Sequence, residues 1–297
     1  MYRVAVRSLF LVLALAACGK DGSSSTRTHQ ASQAPTGERD AAADADAHRA
    51  PAATAYAELG DALAAIIPAD ARVIGFGELH SRVDRAQVRS ALSAFTAALP
   101  RIADQLSDLV VETWIVDPRC GQGAAQATRQ LETTVKRPES TKSEIALLAE
   151  AARAAKIQPH AMTLSCDDYK TLVPDGEVDP VAMLTLTTRE LTRIGTSAVT
   201  HRDKDPARRP WIAIYGGALH NDRAPDPGVA EWSYAAALDE ATGGKFVEID
   251  LIVPELAAAD PVSQRQPWFP LVERASDRVQ VFARGPRSFV VILPATR

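Results

Sequence analysis

Apolar positions change period several times along the chain, and those changes mark its elements. Leu59, Leu63, Ile66 and Ile67 fall at helical spacing and predict an amphipathic helix over 56–67. The run RVIGF at 72–76 reads as a short buried strand. Val88, Leu92, Phe95 and Leu99 recur at i, i+4, i+7 and i+11, which predicts a second helix that Pro100 ends or kinks. Further strands are expected at 109–116 (LVVETWIV), 157–164, 211–215 (WIAIY) and 246–253 (FVEIDLIV). Helical stretches fall near 123–136, 142–154, 180–200 and 229–241, and extended segments at 279–283 and 288–293 close the chain. Strands of near-continuous apolar residues alternating with helices predict a single α/β domain over 56–297, with a mostly parallel central sheet flanked by helices. No helix separates the last two extended segments, so that edge is expected to be antiparallel.

The first fifty-five residues follow other rules. Arg3 and Arg7 precede an apolar stretch from Leu9 to Leu15, and small residues then lead to Cys18, as in a secretory signal. The ending Leu15-Ala16-Ala17-Cys18 resembles a bacterial lipobox, which implies a signal peptide over 1–17, cleavage before Cys18 and lipidation of that cysteine. From Gly19 to Ala55 there is no Val, Ile, Leu, Met, Phe, Trp or Tyr. Such a segment cannot bury enough apolar surface to offset the entropy of ordering, so 18–55 reads as a lipidated cysteine and disordered tether. His29 and His48 lie in it and are discounted. The expected location is the bacterial cell envelope, with the membrane as partner through the Cys18 lipid.

Charge and cysteine usage narrow the partners. Lys and Arg number 33 against 37 Asp and Glu, a net charge of −4, which argues against a nucleic-acid binder. No apolar run reaches the roughly 18 residues that a spanning helix needs. With Cys18 used by lipid in an oxidising compartment, Cys120 and Cys166 remain as an even pair and are expected to form a disulfide.

The candidate chemistry sits at strand ends. There is no Gly-x-Ser-x-Gly elbow, Walker loop, His-Glu-x-x-His or Cys-x-x-Cys. Gly75 to His80 opens like a dinucleotide fingerprint, but a histidine stands where a small residue must pack. One pattern instead occurs twice: an apolar strand followed by Gly-x-x-His, ending in His80 and in His220. Ligands of open α/β sheets bind outside the carboxyl ends of the strands, where glycines would let the backbone turn sharply and approach closely. Glu112 lies inside an apolar strand, where an unpaired charge costs several kcal/mol, so it demands a partner. Glu78 is a second carboxylate, and Asp167 and Asp168 are weaker candidates after another strand. His160 and His201 lack such a setting, and the charge run 202–209 reads as a surface loop.

Paired Gly-x-x-His motifs with a strand-borne glutamate between them resemble the Tiki/TraB/erythromycin-esterase/ChaN superfamily. The match rests on Gly77, His80, Glu112, Gly217 and His220. The resemblance implies an α/β fold and an active-site arginine, for which Arg82, Arg119 and Arg223 are candidates. It also implies one of two functions. The first is a hydrolase acting on a small-molecule or peptide substrate, with His80, His220, Glu112 and Glu78 activating water. A divalent metal held by His80, Glu112 and His220 is a possible aid to that chemistry. The second is a haem- or metal-binding lipoprotein, with Tyr215 or Tyr169 as a tyrosinate ligand.

Overall fold

Each apolar run becomes a strand of one sheet, because only a surface covered on both faces can accommodate it. The computed structural model describes residues 51–115, 117–274 and 276–296. The signal segment, Cys18 and the tether up to residue 50 lie outside these residues. The strands are β1 (Thr54–Tyr56), β2 (Val73–Glu78), β3 (Leu106–Ile115), β4 (Gln158–Thr163), β5 (Trp211–Gly217), β6 (Phe246–Ile252), β7 (Val279–Gly285) and β8 (Ser288–Ile292). They form one sheet in the order β1-β7-β8-β6-β2-β5-β3-β4. From β8 to β4 all pairings are parallel, while β7 pairs antiparallel with both β8 and β1. The fold is therefore α/β with an antiparallel edge.

The chain winds outward from β2 through β3 and β4. It then returns to place β5 between β2 and β3, and continues beyond β2 with β6. The carboxyl ends of β2, β5 and β3 are thus adjacent, beside the point where the winding reverses, with β3 one strand in from the β4 edge.

Alternation along the strands builds two cores. Phe76, Leu109, Val111, Ala213 and Tyr215 face one side, under α1 (Leu59–Ile66), α2 (Ala91–Ala98) and α4 (Ser140–Ala154), the last following α3 (Gly121–Val135). Val73, Val110, Ile212 and Ile214 face the other, under α6 (Pro180–Asp203) and α7 (Ala235–Ala241), and α5 (Cys166–Leu172) precedes α6. Phe95 of α2 packs against Phe76 at 4.6 Å and against Tyr215 at 5.0 Å between ring centroids, fixing the Tyr215 ring. Among the described residues no helix is long and apolar enough to cross a membrane.

Several expectations shift. The tether ends early, since Thr54 and Ala55 belong to β1 and pair with β7. The helix expected from Val88 starts at Ala91, because the Ser90 side chain caps it by accepting from Ser93 N–H at 3.0 Å. The stretch 229–241 splits into a 3₁₀ turn at Ala230–Trp232 and α7. The run 202–209 is not wholly a loop, since α6 continues through Asp203.

Cys120 and Cys166 form a disulfide across a separation of 46 residues, tying the start of α3 to the start of α5. A loop of that length gives about 4 kcal/mol on the chain-entropy model. The double variant Cys120→Ala, Cys166→Ala is expected to unfold at lower denaturant, with a stability loss of up to about 4 kcal/mol. Equal midpoints for variant and parent would contradict this.

Candidate functional site

Glu112 is placed by an irregularity in its strand. Val111 of β3 pairs with Ala161 of β4, but the next pair is Trp114 with Met162, so Glu112 and Thr113 bulge out of the ladder. A bulge re-aims the side chain it carries. The pairing of β3 with β5 stops at Val111 and Tyr215, and beyond it the Glu112 carboxylate accepts the Gly217 N–H at 2.6 Å. A side chain thus continues the hydrogen bonding that the backbone has left.

Around this carboxylate the structure assembles an imidazole and a guanidinium. His80 Nε2 lies 3.4 Å from Glu112 Oε1, and the Arg137 guanidinium donates to the same oxygen at 3.2 Å. Burial works against ionising Glu112, but His80, His220 and Arg137 outweigh it and hold its pKa well below the usual carboxylate range. His80 is fixed from both ends, with Nδ1 2.8 Å from Glu78 Oε1 and Nε2 2.6 Å from Arg137 Nη2. An arginine only donates, so neutral His80 accepts at Nε2 and donates its Nδ1 proton to Glu78. Glu78 in turn accepts the Tyr215 hydroxyl at 2.5 Å. Burial and the Arg137 charge oppose protonation of His80. The Glu112 and Glu78 carboxylates outweigh both, so His80 is more basic than a free imidazole. Its side chain is still 31 % exposed, so a substrate can reach it.

His220 is held differently. Its Nδ1 lies 2.8 Å from the Trp232 carbonyl, an acceptor only, so Nδ1 carries the proton and Nε2 has no partner within the described residues. The Thr188 hydroxyl, donating to the same carbonyl at 2.8 Å, packs beside it. His80 and His220 therefore follow the ends of β2 and β5 and Glu112 lies on the neighbouring β3, and the fields of both imidazoles act on one carboxylate.

The glycines do not make sharp turns here. Gly77, Gly216 and Gly217 lie in strands with ordinary φ. Their role is space: a Cβ on Gly216 would sit 2.5 Å from Glu112 Oε2, and one on Gly217 would sit 2.9 Å from His80 Nε2.

Other nominated residues lie elsewhere. Arg82 pairs with Asp84, Arg119 with Asp117, and Arg223 with Asp239, so none of them is the site arginine. That residue is Arg137, just after α3, which ends at Lys136 with a left-handed φ of 50°. The Lys136 carbonyl accepts Val83 N–H at 2.9 Å, which ties this helix end to the segment after His80. In the sequence an arginine at a helix end before Pro138 reads as a partner of the helix dipole, so no signal marked it. Asp168 makes a capping box with Ser165 and binds Arg189, while Asp167 pairs with Lys170, so neither joins the site. His160 pairs with Asp108 at 2.8 Å, and His201 is exposed on the last turn of α6.

The proposed metal set does not fit. Both nitrogens of His80 are committed, one to a cation, and among the described residues no group of three His, Cys, Asp or Glu is arranged to hold a metal ion. The tyrosinate ligands fit no better. Burial and the Glu78 charge push the Tyr215 pKa well above its ordinary value, and burial raises that of Tyr169, whose hydroxyl donates to the Ile115 carbonyl. Both tyrosines are hydrogen-bond donors in this fold.

A second charged cluster lies behind the site, on β6 to β8. Arg284 binds both Glu248 and Asp250, the latter at 2.6 Å, and Ser288 donates to Glu248 at 2.8 Å. Asn221, next to His220, donates to Asp250 and to the Gly75 carbonyl, each at 3.1 Å. Burial and the Asp250 charge raise the Glu248 pKa to about 7, since one arginine serves two carboxylates.

No family model matches the chain, and no curated protein matches it. Among solved structures, that of the type III effector HopBA1 aligns at a TM-score of 0.38 and 12 % identity, over 76 % of this chain and 88 % of that one. A likeness at that level carries no functional weight.

The raised Glu248 pKa has a definite sign. Folding favours its protonated form, so stability is lost as pH rises from about 4.5 to about 7, and the penalty is complete above that. Glu248→Gln removes the titration and keeps an acceptor for Ser288 and Arg284. It is expected to melt several degrees above the parent at pH 8 and level with it near pH 4.5. A variant less stable than the parent at both pH values would contradict the raised pKa.

Proposed function

We propose that the chain is a lipid-anchored hydrolase of ester or peptide bonds, of the Tiki/erythromycin-esterase/ChaN type, that works by direct attack of water. The observation that carries this reading is the state of the two imidazoles. Each has Nδ1 tied to a fixed acceptor, Glu78 Oε1 or the Trp232 carbonyl, so proton exchange falls to Nε2, which accepts from Arg137 in His80 and has no partner within the described residues in His220. No Ser or Cys side chain bonds either imidazole among the described residues, and the Thr188 hydroxyl beside His220 Nδ1 donates its proton to the Trp232 carbonyl, which supports water as the nucleophile.

In the proposed reaction His80 Nε2 takes a proton from water as the water oxygen attacks the carbonyl carbon. Glu112 then accepts the new Nε2–H and compensates the imidazolium, while Glu78 and Tyr215 keep the ring from turning. Arg137 moves its donor from Nε2 to the carbonyl oxygen, where negative charge develops. Collapse of the tetrahedral intermediate releases the alcohol or amine, which takes a proton from an imidazole, and the acid remains as product. His220 is the second proton-exchanging group.

The test is a panel of nitrophenyl esters, lactones and peptides offered to the full chain and to His80→Gln, Glu112→Gln and Arg137→Gln. A general base contributes roughly 10²–10⁴-fold, so kcat/KM of His80→Gln should fall by that factor. The parent's rate should rise with pH through a value above 6.5, since the neighbouring carboxylates raise the His80 pKa. Equal rates for His80→Gln and parent, or no turnover across the panel, would reject the reading.

Anchoring has its own test. Cys18→Ser removes the thiol that takes the lipid, and the chain should move from the membrane fraction to the soluble one. Retention of the variant in membranes after a high-salt wash would contradict the lipid anchor.

A further inference from the structure

At the rim opposite the candidate site, where β3 and β4 begin, lies a cavity of about 560 Å³ lined by Ser107, Arg153, Lys156, Gln158, Arg208 and Arg209, among others. Four of its lining side chains are cationic, and none is a carboxylate. The chain as a whole is acidic, with a net charge of −4, so this is a local reversal of sign.

The cations are unspent. Arg189, Arg193, Arg284 and Arg287 each bind a carboxylate, whereas Arg153, Lys156 and Arg208 have no ion pair within the described residues. Asp108, which feels the Arg208 charge, is buried and already paired with His160. Arg209 is built in. Its Nη1 donates to the carbonyls of Ala103, Leu106 and Ala155 at 3.0, 3.2 and 2.8 Å. Its Nε and Nη2 make no bond within the described residues, and neither is among the buried unpartnered atoms. A guanidinium clamped through one nitrogen presents its remaining donors in a fixed plane, the arrangement that suits a bidentate oxyanion.

Lys156 is held in place by its own backbone. It holds a left-handed φ of 58° in the turn between α4 and β4, fixed by Lys156 N–H to Arg153 O at 2.9 Å and Ile157 N–H to Ala152 O at 2.8 Å. A glycine would relax that turn, and a lysine costs about 1 kcal/mol there.

We propose that this cavity binds a phosphate ester carrying more than one negative charge. Its volume is in the range of small-molecule sites and exceeds what a single inorganic phosphate fills. Four cations without counter-charges call for a multiply charged ligand. A soluble organic phosphate and the phosphate of a lipid headgroup present the same chemistry, and the test separates them.

Calorimetry of the full chain with pyrophosphate at low salt reads the soluble source. Co-sedimentation of the Cys18→Ser chain with vesicles containing phosphatidic acid, whose phosphomonoester headgroup takes a second negative charge, reads the lipid source without the lipidated cysteine. Arg153 and Lys156 are exposed, so the double variant Arg153→Glu, Lys156→Glu should fold. It is expected to weaken whichever binding is seen by about tenfold or more. The same reversal at exposed Arg89 and Arg129 should leave binding unchanged. Pyrophosphate binding lost in the cavity variant assigns a soluble ligand, and vesicle binding alone lost assigns a headgroup. Binding of neither, or equal losses from both reversals, overturns the proposal.

Discussion

The structure depends on how it compensates one carboxylate. Glu112 sits on an inner strand, paired on both sides, where an uncompensated charge would cost several kcal/mol, and breaking a buried ion pair costs about 3–5 kcal/mol. Four groups answer it: the Gly217 N–H, His80, Arg137 and the field of His220. They come from three segments, Gly217 and His220 from the end of β5, His80 from the end of β2 and Arg137 from the end of α3. The carboxylate is therefore also what ties the ends of β2, β5 and α3 into one geometry. The basic His80 and the strongly acidic Glu112 are two sides of the same interaction.

Space for that interaction comes from omitted side chains. Gly216 and Gly217 are consecutive, so they face opposite sides of the sheet, and each makes room for one partner. Gly216 admits the Glu112 carboxylate and Gly217 admits the His80 ring. Gly77 does the same for the second cluster, since a Cβ there would sit 2.5 Å from Asn221 Oδ1 and 2.6 Å from Asp250 Oδ1. Glycine here trades strand stability for the close approach of charged groups to the backbone.

This explains what could be read in advance. Apolar runs mark the inner strands well, because burial on both faces leaves few alternatives. Gly-x-x-His and the misplaced Glu112 mark the site, because a charge in an apolar run has to be answered. Arg137 is invisible to the same reasoning. It reaches the site through the path of α3 and the left-handed turn at Lys136, and a lone arginine after a helix looks the same wherever that helix ends. Val88 shows the opposite failure. It has the right spacing for a helix, but the Ser90 cap starts the helix later and leaves Val88 against the core from outside it. The role of the glycines is hidden for a related reason. Sequence shows that Cβ is missing but not whether φ or space required it.

The two charged clusters meet at a single peptide, His220-Asn221, and their separation follows from how that peptide is held. Asn221 is fully buried and bound from two sides, by the Gly75 carbonyl of β2 and by Asp250 of β6. His220 is bound through its own Nδ1 to the Trp232 carbonyl, and its backbone N–H donates to Gly217 O at 2.9 Å. A proton gained or lost by Glu248 and Asp250 changes the charge facing Arg284. Between Asp250 and His220 stands Asn221, which the Gly75 carbonyl also holds. Titration of the acid pair is thus expressed as stability of the β6–β8 edge, whereas titration of His80 is expressed at the site. One short loop keeps the two proton equilibria adjacent in sequence and separate in effect.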